Sequence, residues 1–170
     1  ATLIRARSRT LLGTLNRQLG DYKQAEQFLK DALKLNLKQF GKDHVEVASS
    51  ESNLGIVYKY SGQYAKGLAL YESALAKLKA LFGDDGFELS MVNHNIGGIL
   101  HSAGRFAEAE APARRAWELS KLHLGASHPQ TMADAASLAA ILDSLERYKE
   151  SEPIYRKALK VFEKLYGPEI

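Results

Sequence analysis

Residues 47–83, VASSESNLGIVYKYSGQYAKGLALYESALAKLKALFG, decide how the rest of the chain is read. Val47, Leu54, Val57 and Tyr58 recur at the spacing of one helix face, Ser61-Gly62-Gln63 interrupts the pattern, and Tyr64, Leu68, Tyr71, Ala74, Leu75, Leu78 and Leu81 resume it. The stretch predicts a helix, a tight turn and a second helix. Gly62 is placed to end the first helix in a left-handed cap, and Gly83 to do the same for the second.

The same stretch recurs with a period of 42 residues. Gly41, Gly83, Gly125 and Gly167 keep that spacing, as do Ala32, Ala74, Ala116 and Ala158, and the aromatics Tyr22, Tyr64, Phe106 and Tyr148. A further column reads Gly20, Gly62, Gly104, Glu146, so Glu146 must take a strained or different turn where the others have glycine. With only 13 glycines in 170 residues, two glycine columns in phase with an alanine and an aromatic column are not a product of composition. Four repeats follow, at about 1–42, 43–84, 85–126 and 127–170, forming a single domain. Gly55 and Gly97 in first helices, with Ala32 and Ala74 in second helices, let helix axes approach closely.

Composition sets the outer limits. The chain is 45% hydrophobic and 25% charged with 4 prolines, as expected of a folded domain. It has no cysteine, which removes disulfides, thiolate metal sites and thiol nucleophiles. No apolar run approaches a membrane span, which favours a soluble, cytoplasmic protein. The start at Ala1 suggests a piece of a longer chain.

Leu54-Gly55-Ile56-Val57-Tyr58 resembles the Leu-Gly-x-x-Tyr stretch of the tetratricopeptide repeat (TPR), and the spacing of Gly67, Tyr71 and Ala74 is similar to that family's second helix. The 42-residue period, with loops such as Phe40-Gly41-Lys42-Asp43-His44 and Leu124-Gly125-Ala126-Ser127-His128-Pro129, resembles the longer repeat of kinesin light chains. The expected fold is all-α, an alpha-alpha superhelix (TPR solenoid) of four helix-turn-helix repeats, right-handed, with first helices on the concave face and second helices on the convex back. Pro112 and Pro153 fall inside second helices, where each removes one backbone bond and bends the axis locally.

Most aromatics read as core. Tyr22, Tyr64, Phe106 and Tyr148 are expected to wedge between helices, and Trp117 shares a column with Leu33, Leu75 and Leu159. If Leu54 and Gly55 point inward, Ser49, Ser52, Asn53, Ile56, Lys59 and Tyr60 turn toward the groove. Shifting by one period adds Arg7, Thr10, Leu11, Thr14, Arg17 and Gln18 from the first repeat. The third gives Met91, His94, Asn95, Gly98, His101 and Ser102; the fourth gives Ala133, Ala136, Ser137, Ala140, Asp143 and Ser144.

Asn53 and Asn95 share one column, and each amide both donates and accepts, which suits the backbone of an extended peptide. The resemblance implies the same, since kinesin light chain repeats carry similar peptide-binding asparagines there. The other reading is an asparagine bonded to a neighbouring helix. Arg17, Lys59, Tyr60, Met91, His94 and His101 surround the pair with cations, aromatic surface and a pliable thioether, so the expected partner is a protein or peptide with acidic residues. A carboxylate clamp for chaperone tails needs Lys, Asn, Asn, Lys and Arg, because a terminal carboxylate demands converging donors. The corresponding residues are Thr10, Thr14, Asn53, Met91 and Asn95, or one repeat later Ser52, Ile56, Asn95, Ala133 and Ser137. Only the central asparagine matches.

Nothing points to an enzyme or to a cofactor. His94 and His101 lie seven residues apart on one helix, about 10 Å along its axis and too far for a shared metal. There is no glycine-rich phosphate loop and no HExxH. The net charge is +3, concentrated in residues 1–43 with nine bases against four acids, including Arg5, Arg7, Arg9 and Arg17 on one helix. That excess is too small and too local to favour nucleic acid. At the other end Val161, Phe162, Leu165 and Tyr166 precede Gly167-Pro168-Glu169-Ile170 with no further polar helix, so these side chains are expected to be partly uncovered and open to self-association.

Overall fold

A computed structural model describes residues 2–167. Eight helices occupy them: α1 (Thr2–Gln18), α2 (Tyr22–Phe40), α3 (Val45–Tyr60), α4 (Tyr64–Phe82), α5 (Glu88–Ser102), α6 (Phe106–Leu124), α7 (Pro129–Ser144) and α8 (Tyr148–Tyr166). Each even-numbered helix is 19 residues long and begins on an aromatic of the repeated column. No strand is present among the described residues, and no helix there is long and apolar enough to cross a membrane. The helices form two compact units, residues 1–83 and 84–170, each holding two hairpins.

In the first unit α1 pairs with α2, α2 with α3 and α3 with α4, while α1 also touches α3. Its core joins Ala25 and Leu29 of α2 to Leu54, Val57 and Tyr58 of α3. In the second unit α5 pairs with α6, α6 with α7 and α7 with α8, with α5 also against α7. There Met132, Ala135 and Ala158 are buried beneath Trp117, Ile154, Val161 and Phe162. Trp117 is thus a packing residue, as its column implied. Val161 and Phe162 are half-buried, whereas Leu165 and Tyr166 are exposed; the segment 168–170 lies outside the described residues.

Small residues set the approach of paired helices. A Cβ on Gly55 would lie 2.8 Å from Cε1 of the buried Tyr71, and one on Gly97 would lie 3.0 Å from the Cβ of Ala113. The turns within hairpins are Schellman caps. Gly62 N–H donates to Lys59 O (3.2 Å) and Gln63 N–H to Tyr58 O (2.8 Å), and the same pair of bonds recurs at residues 20–21, 104–105 and 146–147. Glu146 takes that cap at φ 60°, the one positive φ among described non-glycine residues, so the departure in the column is a left-handed residue held without glycine.

Two expectations need correction. The glycines that end the second helices are not left-handed caps: Gly83 has φ 76° and ψ 179°, and Gly41, Gly125 and Gly167 are alike, a region open almost only to glycine. At Gly41, Gly83 and Gly125 this backbone carries the chain out of the second helix toward a first helix that starts several residues on. Nor is the aromatic column a buried wedge. As first residues of their helices, Tyr22, Tyr64 and Phe106 are half-buried and Tyr148 is exposed.

Candidate functional site

The first unit brings its predicted groove residues to two places. At the C-terminal ends of α1 and α3, the Arg17 guanidinium sits 5.6 Å from the centre of the Tyr60 ring and the Lys59 ammonium 5.9 Å from it. Tyr22 stacks against Tyr60 at 6.4 Å with the planes 10° apart. Neither cation has an ion-pair partner among the described residues. Burial pushes the Lys59 ammonium below the usual lysine range, which makes a carboxylate from outside a favourable neighbour. The exposed ring and two unpaired cations form a surface for acidic and aromatic groups.

Nearer the N-termini, Asn53 helps line an open depression of about 240 Å³ with Arg7, Thr10, Leu11, Ser49 and Ser50. Asn36 and Glu46 complete its lining, and sequence reasoning missed both. Asn36 is buried near the end of α2, and its Nδ2 donates to Ser50 Oγ (2.8 Å), which donates to Glu46 O (2.9 Å). Its column runs Asn36, Leu78, Ser120, Phe162, so no repeat pattern marked it as polar. Asn53 itself is partly exposed and its amide has no hydrogen bond among the described residues. Among the described residues, then, no hydrogen bond ties it to a neighbouring helix.

The second unit treats its two histidines differently. His94 Nδ1 lies 2.8 Å from Oδ1 of the fully buried Asp134, which also accepts from Gln130 Nε2 (3.0 Å) and Ser120 Oγ (2.5 Å). An ionised carboxylate only accepts, so His94 carries its proton on Nδ1 and keeps Nε2 as an acceptor. Ser120 Oγ in turn lies 2.7 Å from Ser90 Oγ, extending the buried polar chain. His101 has the opposite tautomer. Ser144 donates its hydroxyl proton to Ala140 O, so His101 Nε2–H donates to Ser144 Oγ at 2.9 Å, and the ring tilts against Phe106. Asp134 was invisible in sequence because its column otherwise holds Ser8, Ser50 and Val92 rather than acids.

Met91, one turn before His94, is exposed and borders an apolar hollow of about 450 Å³ lined by Phe87, Glu88, Ser90, Leu124, His128 and Gln130. Asn95 is partly exposed and, like Asn53, has no hydrogen bond among the described residues. His44 and His128 serve structure. Each Nδ1 accepts the backbone N–H two residues on, Glu46 and Gln130 at 3.2 Å, and so caps α3 and α7. Among the described residues no three His, Asp or Glu side chains converge on a common point.

Comparison with known proteins agrees with this architecture. The tetratricopeptide repeat model matches residues 3–80 and 46–122, and a second model of that repeat matches 135–169. No curated protein matches the chain in sequence. Among solved structures, a kinesin-light-chain-type protein of Podosopora anserina with nearly identical TPR-like repeats superposes with a TM-score of 0.76 at 17% identity, covering 95% of this chain and 77% of that one. A single-residue variant of it gives 0.78 at 17% identity, covering 95% and 76%. BtubC (BKLC) from P. vanneervenii gives 0.83 at 21% identity, covering 95% of this chain and 65% of its own length. The eight helices thus share the fold of kinesin light chain-like repeats, and the chain belongs to the tetratricopeptide repeat family.

Proposed function

We propose that this chain is a non-enzymatic scaffold that holds a segment of a partner protein against the exposed faces of its first helices. Repeats of this family generally mediate protein–protein interaction. The observation that carries the proposal is that each unit has a partly exposed, unbonded amide on a first helix, Asn53 in the first and Asn95 in the second. Each can donate to a backbone carbonyl and accept from a backbone N–H, the pattern an extended peptide offers. Farther along α1 and α3, the two first helices of the unit that holds Asn53, Arg17 and Lys59 favour acidic side chains and Tyr60 offers a ring face. Beside Asn95, Met91 borders an apolar hollow and His94 presents an acceptor edge.

Each neutral hydrogen bond lost costs about 1 kcal/mol, so losing those of both amides weakens binding roughly tenfold or more. Peptides selected from a random linear library should bind the Asn53→Ala, Asn95→Ala double variant at least that much more weakly. Far-UV dichroism of the variant should stay helical. Equal affinity for the selected peptides would remove these faces from the binding surface.

A further inference from the structure

The depression beside Asn53 is walled by α1 and α3, where two consecutive hairpins join. The same joint recurs 84 residues on, within the second unit, where Arg7, Thr10, Asn36, Glu46 and Ser50 become Met91, His94, Ser120, Gln130 and Asp134. Met91 and Gln130 line a hollow there too, so the recess belongs to the joint between hairpins. In the second unit the joint satisfies itself. The buried Asp134 carboxylate accepts from His94 Nδ1 (2.8 Å), Gln130 Nε2 (3.0 Å) and Ser120 Oγ (2.5 Å), so donors of three helices converge on one negative charge.

The first unit reverses that balance. Its carboxylate stands one turn earlier, on the half-exposed Glu46, and has neither an ion pair nor a hydrogen bond among the described residues. Thr10, in the place of His94, spends its hydroxyl proton on Ala6 O (3.1 Å). Asn36 is 5% exposed and gives Nδ2 to Ser50, while its buried Oδ1 has no hydrogen-bond partner. Both groups accept, and no donor of the described residues answers either. What α5, α6 and α7 supply to Asp134 from within must here come from outside. We propose that this depression is a subsite for a primary ammonium group, which brings one positive charge and three N–H donors, carried by a lysine side chain or by the N-terminus of the bound segment. The inference rests on the reading of first-helix faces as a binding surface and gives the first unit's part of that surface a ligand class. Arg7 lines the same depression without an ion pair, and it is left for the backbone carbonyl that accompanies either kind of ammonium. Lys59 lies thirteen residues further along α3 than Glu46, about 20 Å along the axis, so acidic groups and the ammonium take separate places.

Side-chain amide signals of the nitrogen-15-labelled chain test this with two small probes, Nα-acetyl-lysine methylamide and glycinamide, against Nα-acetylglycinamide, which lacks the ammonium. At least one ammonium probe should shift the Asn36 signals saturably in the millimolar range, and the tighter of the two names the source; the uncharged probe should leave them in place. Glu46→Gln should weaken that binding by roughly fivefold or more, since it removes a charge-assisted bond. Asn36→Leu, which installs the residue type that Leu78 provides in the same column, should weaken it as well, read there on the Asn53 amide, with both variants checked for retained helicity. No shift with either ammonium probe, an equal shift with the uncharged one, or undiminished binding in either variant would each overturn the proposal. Library-selected peptides keep its failure apart from that of the wider reading. Equal affinity for the unaltered chain and for Glu46→Gln would sink the ammonium subsite alone, whereas equal affinity for the Asn53→Ala, Asn95→Ala variant would sink the grip through those amides.

Discussion

A methyl group on Gly55 would press into the ring of Tyr71, a side chain with no exposed surface and no room to turn aside. Overpacking of this kind costs about 1–3 kcal/mol, so Gly55→Ala should lower the thermal midpoint measurably while leaving Asn53 on its exposed face. A second residue-scale expectation concerns His94. The buried Asp134 carboxylate requires a proton on Nδ1, and long-range nitrogen–proton correlation spectra should show that tautomer in the neutral ring, with His101 showing the other. A shared tautomer would refute the hydrogen-bond assignment. These two residues also show what a sequence can carry. Gly55 was readable because close approach leaves a glycine in a helical pattern. The partner of His94 was not, because a buried carboxylate forty residues away leaves no periodic mark.

Single elements end by different devices, and one of them bears strain. Glu146 closes α7 in a left-handed conformation that three glycines adopt elsewhere, at about 1 kcal/mol or slightly more for a residue with a Cβ. Glu146→Gly should therefore stabilise the chain by about that much in chemical unfolding; no gain would mean that its side chain compensates through contacts of its own. The same loop is tied to α6. Glu110 accepts from Arg114 (2.7 Å) and from Arg147 (2.6 Å). The Arg114 guanidinium, with Arg147 beside it, holds the Glu110 carboxyl below its ordinary value of 4.5. A carboxyl depressed on folding contributes stability that is present above the unfolded value and lost as pH falls through the folded one. Acid titration below pH 4.5 should thus destabilise the chain less steeply in Glu110→Gln. The helix pairs and their glycine caps were legible from the 42-residue columns. The conformation of Gly83 was not, because glycine alone does not say which positive-φ region the chain will use.

Over the whole molecule, four copies of one hairpin make two compact units, and repetition supplies both core and exposed faces. Periodicity specified which first-helix residues stay out of the core: Arg17, Asn53, Lys59, Tyr60, Met91, His94, Asn95 and His101 all retain exposed surface. It did not reveal that Arg17 and Lys59 share the Tyr60 ring, that Asn36 and Glu46 join the lining around Asn53, or that His101 is occupied by Ser144. Those facts depend on side chains meeting between helices, where each repeat differs from the next. The central claim is that unbonded amides on first helices grip a partner's backbone. Isothermal titration of a library-selected linear peptide into the unaltered chain and into the Asn53→Ala, Asn95→Ala variant measures it most directly. Binding should be saturable and fall at least tenfold in the variant; undiminished affinity in a variant that remains folded would contradict a grip through these amides.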